Sequence, residues 1–268
     1  MYFITDWTKR LDFDALRKQR LARLHQLMEK HKLDGLLGFE YANIRYISGL
    51  RPLWNPNFSL GRAGFVSRHS DDTVCWVTQD DMPHRRETMY WMKPENVREF
   101  PGGVGGPQPR AGLEVLAKGM ADVGFASGRL GVDFTTIPAR GAFESVLPGV
   151  EIVDGNACFH EARLIKNAQE VEVMRQASQL VDVGFETAFK AVEPGKRDCE
   201  VLGEVMNTFY KYVMETPQCN LIVCSGPTTA PMQRFAGDRI IQRGDLVFMD
   251  LGGCWNGMFS EATRTIIC

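Results

Sequence analysis

Residues 244–265, GDLVFMDLGGCWNGMFSEATRT, constrain the fold more than any other stretch of the chain. Two apolar runs flank Asn256-Gly257, a dipeptide that supplies the positive φ angles required by a two-residue hairpin turn. A turn centred there pairs Trp255 with Met258, Gly252 with Glu261 and Asp250 with Thr263. Residues two apart on a strand share a face, so Asp250 and Glu261 become diagonal neighbours with backbones roughly 7–8 Å apart.

Two carboxylates thus converge, and Gly252, opposite Glu261, leaves space for an ion or a substrate. Like charges this close call for a cation or a shared proton, and hard oxygen ligands suit a divalent metal. The alternative from spacing alone is that Glu261 sits on a solvated sheet face and Asp250 ends an apolar run.

The order Gly-Asp, three apolar residues, Asp250, Gly252, a turn, then Ser260-Glu261 and Arg264-Thr265 resembles the metal-binding hairpin of the pita-bread metallohydrolases. These include methionine aminopeptidase, aminopeptidase P, prolidase and creatinase, with a dimethylsulfoniopropionate lyase among their relatives. The resemblance implies a two-metal centre of divalent ions (Mn, Zn, Co or Fe) with Asp250 as one ligand. Glu261 stands eleven positions on, where the peptidases carry a second Asp, so its longer side chain departs from the family pattern.

Composition narrows the class. At 268 residues, 44% hydrophobic and 24% charged, the chain has the make-up of a globular protein with one large or two ordinary domains. A net charge of −2 gives no footing for nucleic acid. No apolar run is long enough to span a bilayer, and the start, MYFITDWTKR, lacks the order of a signal peptide, so the expected setting is the cytoplasm without membrane attachment. Seven cysteines with no CxxC spacing indicate neither a disulfide framework nor a zinc knuckle.

The first part of the chain reads as alternating helices and strands: an amphipathic helix at 12–31, a strand in DGLLGFE, adjacent strands in AGFVSRH and TVCWVTQ, and a short helix from Arg85 to Met92. There follow a strand in NVREF, a helix at 111–123, a strand from Arg129, a helix near 139–147 and a strand at Glu151–Asp154. Such alternation predicts a mixed sheet covered by helices. The Gly/Pro-rich run 101–109 lacks the lysine and flanking elements of a phosphate loop and reads as a flexible surface loop. Tyr41 to Gly49 is similar to the N-I-R-Y signature of creatinase and aminopeptidase P. After it come a proline-broken loop with Trp54, and then Gly61-Arg62, where creatinase has a Gly-Arg that reaches a neighbouring subunit's active site. That resemblance implies a homodimer and makes Arg62 and Trp54 candidate substrate contacts, a guanidinium being a good carboxylate clamp; the alternative is a solvated arginine at a strand start.

Asn167 with Glu170 reads as a capping box, opening a long helix with Val171, Met174, Ser178, Val181, Phe185 and Ala188 on one face. A second helix follows from Asp198, read as its cap, and a strand ends at Cys224. Arg163, Lys166, Asn167 and Glu170 match the entry to the creatinase and aminopeptidase P catalytic domain, implying domains at 1–157 and 158–268. Ser225 to Arg234 resembles the loop that carries a substrate-contacting histidine in the family. Here Met232, Gln233 and Arg234 stand instead, and the lyase branch likewise lacks that histidine. Arg234 is a third candidate for an anionic substrate, against a plain surface-loop reading.

The resemblance thus implies an α/β (α+β) chain: a creatinase-like mixed-sheet domain followed by the first half of a pita-bread domain. The second half, with one histidine and two glutamates as further ligands, is not in the sequence, so the active site is expected to be incomplete. The leading expectation is a metal-dependent hydrolase cleaving a C–N bond of a small carboxylate-bearing substrate or Xaa-Pro dipeptide. The alternatives are a lyase-like or creatinase-like relative and a catalytically silent binding domain; against creatinase, Thr263 occupies the position of its catalytic Glu.

Overall fold

The computed structural model describes residues 11–51, 60–106, 109–215 and 221–268. It divides into two compact units, Met1–Asn167 and Ala168–Cys268.

In the first unit, helix α1 (Phe13–Lys30) starts where the Asp12 carboxylate accepts a 2.8 Å hydrogen bond from the Ala15 N–H. Its buried stripe, Leu16, Leu24, Leu27 and Met28, follows the helical repeat. Strand β1 (Gly35–Gly38) is central to a six-stranded mixed sheet. It pairs antiparallel with β2 (Ala63–Ser67) and parallel with β5 (Gly128–Val132). Outward lie β3 (Thr73–Val77) and β4 (Val97–Glu99) on one side and β6 (Val150–Asp154) on the other.

Adjacent residues on these strands enter different cores. Leu37 and Phe65 join Trp76, Leu116 and Phe143, whereas Leu36 and Val66 join Leu24, Met28 and Phe159. A sheet buried on both faces accounts for the nearly continuous apolar runs of these strands. Helix α2 (Tyr41–Ser48) is capped from outside itself: the Asp133 carboxylate accepts from the N–H groups of Phe39 and Glu40 and from the Asn43 amide at 2.7–3.0 Å. The helix closes at Gly49 with φ 73°.

Helix α3 covers Met82–Thr88, earlier than the 85–92 predicted, because Pro83 suits the first helical turn, where no N–H is needed. Helices α4 (Arg110–Asp122) and α5 (Ile137–Val146) follow the predicted pattern. Residues 101–106 form a surface turn, exposed at 101, 102, 105 and 106, that is anchored by the buried Gly103 and Val104. Val104 is fully buried and donates to the Leu60 carbonyl at 3.0 Å, and a Cβ on Gly112 would stand 2.1 Å from the Gly103 carbonyl oxygen. Helix α6 (Asn156–Leu164) belongs to this unit, burying Cys158, Phe159 and Ala162 with the α1 stripe. A boundary at 157/158 falls inside that helix, and the compact units meet after Asn167.

In the second unit, α7 (Ala168–Ala191) and α8 (Asp198–Lys211) accompany a three-stranded antiparallel sheet ordered β7 (Ile222–Ser225), β8 (Leu246–Trp255), β9 (Met258–Ile267). The buried side of α7 is Val173, Ala177, Leu180, Gly184 and Ala188 together with Val181 and Phe185, while Val171 is 43% exposed. The C-terminal half of the predicted face, Val181, Phe185 and Ala188, is buried, but in the N-terminal half Val171 and Ser178 are exposed and Met174 only partly buried, with Val173, Ala177 and Leu180 buried in their place. Ser178 reaches Ser260 of β9 at 3.0 Å, and a Cβ on Gly184 would lie 2.3 Å from the Phe209 ring of α8. Among the described residues no helix is long and apolar enough to cross a membrane.

Candidate functional site

The hairpin forms with the register that its turn dictates. Asn256 and Gly257 adopt φ 47° and 82°, and Trp255 pairs with Met258, Gly252 with Glu261 and Asp250 with Thr263. On β9, Ser260 and Arg264 face α7, where Arg264 lies 5.2 Å above the Phe185 ring. Alternation then turns Glu261 and Thr263 to the opposite face, the one that carries Asp250. On its other side Asp250 pairs with Ile222 of β7, so an apolar strand bounds the carboxyl.

Asp250 and Glu261 do converge. Burial pushes the Asp250 carboxyl up to about 6, and the Glu261 charge and a hydrogen bond with Glu261 push in the same direction. Asp250 Oδ1 is buried without a hydrogen-bond partner. A buried acceptor without a donor is costly in a folded protein, and a cation relieves it. The donor set, two carboxylates across a glycine, fits two of the oxygen ligands of a divalent ion. Among the described residues, no group of three or more His, Cys, Asp or Glu side chains is placed to hold one.

The other candidates lie elsewhere. Arg62 directly precedes β2 in the first unit, with its Nε buried and without a hydrogen-bond partner. Trp54 lies outside the described residues. Arg234 folds back on its own loop, where Nε and a terminal nitrogen donate to the Pro231 carbonyl at 3.0 and 2.8 Å. That internal closure supports the surface-loop alternative for Arg234.

Sequence reasoning missed a polar network at the base of this loop. Arg197, not Asp198, caps α8, and Asp198 is 2% exposed. Asp198 accepts from Ser225 Oγ at 2.7 Å, and Arg239 donates to both Ser225 Oγ and Asp245 at 2.6 Å. The signal was an acidic residue at a helix start, which capping explains equally well. Cys254 Sγ also lies 3.5 Å from Glu215 Oε2.

Residues 20–165 match the Creatinase/Prolidase N-terminal domain, and residues 172–268 match Metallopeptidase family M24. The chain belongs to the creatinase/prolidase family of M24 metallopeptidases. It is 24% identical over 253 residues to the Xaa-Pro dipeptidase of Pyrococcus furiosus, covering 93% of this chain and 65% of that protein. It is 26% identical to the creatinase of a Bacillus species, covering 92% of this chain and 59% of that one. The solved prolidase from Pyrococcus furiosus superposes with a TM-score of 0.72 at 25% identity, covering 92% of this chain and 70% of that structure. The Bacillus subtilis peptidase YqhT, 24% identical, is matched over 64% of its length. The chain therefore spans about 65% of the length of the curated relatives it matches. The fold is the mixed α/β, pita-bread type of the prolidases.

Proposed function

We propose that Asp250 and Glu261 contribute oxygen ligands to a divalent-metal centre (Mn, Zn, Co or Fe) in a hydrolase that cleaves a C–N bond of a small carboxylate-bearing substrate such as an Xaa-Pro dipeptide. The observation that carries this reading is the buried, unpartnered Oδ1 of Asp250 beside a second carboxylate and across from Gly252. When bound, such ions supply Lewis acidity toward the scissile carbonyl and toward water. The chain's own part is to hold two anionic oxygens at fixed positions on paired strands. Arg62, with an unsatisfied buried nitrogen, is the candidate for clamping a substrate carboxylate in a neighbouring subunit's site, as the resemblance to creatinase implies. Calorimetric titration with Mn2+ and Zn2+ tests the centre: uptake by the wild type and its loss in Asp250→Asn support it, and equal uptake by both defeats it.

One observation favours a second reading, a relative with changed chemistry. Residues 161–268 contain no histidine, and the loop position that carries one in the peptidases holds Met232, Gln233 and Arg234, the last bonded to its own loop. A proton shuttle based on imidazole is then missing from that loop. Offering Xaa-Pro dipeptides, creatine and dimethylsulfoniopropionate in parallel separates the two; turnover of dipeptides alone counts against changed chemistry.

A further inference from the structure

The first unit holds a half-open cavity of ≈ 750 Å³ with no part in the reading above. One wall is a stripe of α1 comprising Asp14, Arg17, Lys18, Leu21, Ala22 and His25, a spacing that puts all six on one helix face. Facing it are the end of α2 and the Tyr90–Trp91 pair. This size lies within the range of small-ligand sites, and the lining mixes charged groups with aromatic and aliphatic ones.

The two ends of the cavity differ. At one, the Arg17 guanidinium lies 4.0 Å from the Trp91 ring and is held by Asp14. The Trp91 N–H donates to the Ser48 carbonyl at 2.8 Å, which fixes the indole, and Tyr90 meets it edge-on at 5.1 Å while remaining 73% exposed. Next to Arg17, the Lys18 ammonium makes no ion pair among the described residues. The other end is two helical turns away, about 10 Å by the helix rise. There His25 Nδ1 lies 3.8 Å from Asp71, and His25 Nε2 is buried with no hydrogen-bond partner.

We propose that this cavity binds a short peptide of two or three residues with an aromatic C-terminal side chain. The ring rests on Tyr90 and Trp91, the terminal carboxylate meets Lys18, and the amino terminus reaches Asp71 beside His25. Extended chains of this length span about 7–11 Å, which matches the separation of Lys18 and His25. The lining supplies an aromatic surface and a cation at one end and an anion at the other. The site is independent of the Asp250–Glu261 centre.

The test is calorimetric titration of the full chain with Gly-Gly-Phe, its C-terminal amide, its N-acetyl form and Gly-Gly-Gly. Saturable binding of Gly-Gly-Phe is expected, with each altered peptide binding at least about fivefold more weakly. Lys18→Met, at an exposed position, weakens binding about fivefold to tenfold with an unchanged melting temperature, the effect of losing one charge-assisted contact near the surface. The double variant Asp250→Asn, Glu261→Gln retains the wild-type affinity. Absence of saturable binding at millimolar peptide, equal binding of Gly-Gly-Gly, indifference to Lys18→Met, or loss in the double variant would each overturn the proposal.

Discussion

Asp250 and Glu261 occupy the same face of the β8–β9 hairpin, offset by two residue pairs, with the bare backbone of Gly252 opposite Glu261. The arrangement is unfavourable for two ionised carboxylates on their own: burial first, and the Glu261 charge after it, raise the Asp250 carboxyl to about 6.

In chelator-treated protein this predicts a pH dependence with a definite sign. The folded state holds the Asp250 proton to a higher pH than the unfolded chain, whose Asp titrates at about 3.8. Between those values the folded state binds more protons, so stability falls as pH rises from about 4 to 6. Asp250 is only half-buried, so solvent screening limits the effect to about 1 kcal/mol. Urea melts across that window should show the loss in the wild type and not in Asp250→Asn. Carboxyl NMR titration of Glu261→Gln should show the Asp250 midpoint moving down.

The hairpin was legible because each of its determinants is local: a turn dipeptide fixes the register, and the register fixes which side chains meet. The mixed sheet was legible for a similar reason, since short apolar runs bounded by turn residues give its strands. What was not legible depends on tertiary partners. The buried side of α7 is turned in its N-terminal half, where Val173, Ala177 and Leu180 pack while Val171 and Ser178 stay exposed. The 101–106 turn is anchored because Val104 finds the core. Asp198 became a network member because Ser225 and Arg239, distant in sequence, arrive beside it.

That network yields a second acid-side prediction. Arg239, hydrogen-bonded to Asp245, holds the Asp245 carboxyl below the usual carboxylate range, and the Gln242 N–H assists. A lowered folded-state value contributes stability that is present above the unfolded value and is lost as pH falls through the folded one. Arg239→Met should therefore lower the melting temperature at neutral pH and flatten its fall on acidification below about pH 4. A variant that melts with the wild-type pH profile would show that the pair contributes nothing.

Asp133 is a stronger structural point. It is 7% exposed and receives the N–H groups of Phe39 and Glu40 together with the Asn43 amide. Asp133→Ala leaves those donors buried at the start of α2. With about 1–3 kcal/mol for each unsatisfied buried group and partial rescue by water, a loss of about 3 kcal/mol is expected. Guanidinium unfolding followed by far-UV circular dichroism would measure it, and a change below about 1 kcal/mol would mean that α2 does not depend on this cap.

Two helix glycines separate packing from propensity. Gly119 lies inside α4, where a Cβ would stand 2.4 Å from the Trp76 ring, itself fully buried. Gly141 lies inside α5 with nothing within 4 Å of an added Cβ. Alanine at either site gains about 1 kcal/mol of helix propensity. At Gly119 the overpacking cost, about 1–3 kcal/mol, outweighs that gain because the ring is locked between sheet and helix. Gly119→Ala should thus lose about 1 kcal/mol, and Gly141→Ala should gain about 0.5–1 kcal/mol. Denaturant midpoints of the two variants, measured side by side, should move in opposite directions, since the same methyl group meets a buried indole in one helix and solvent in the other.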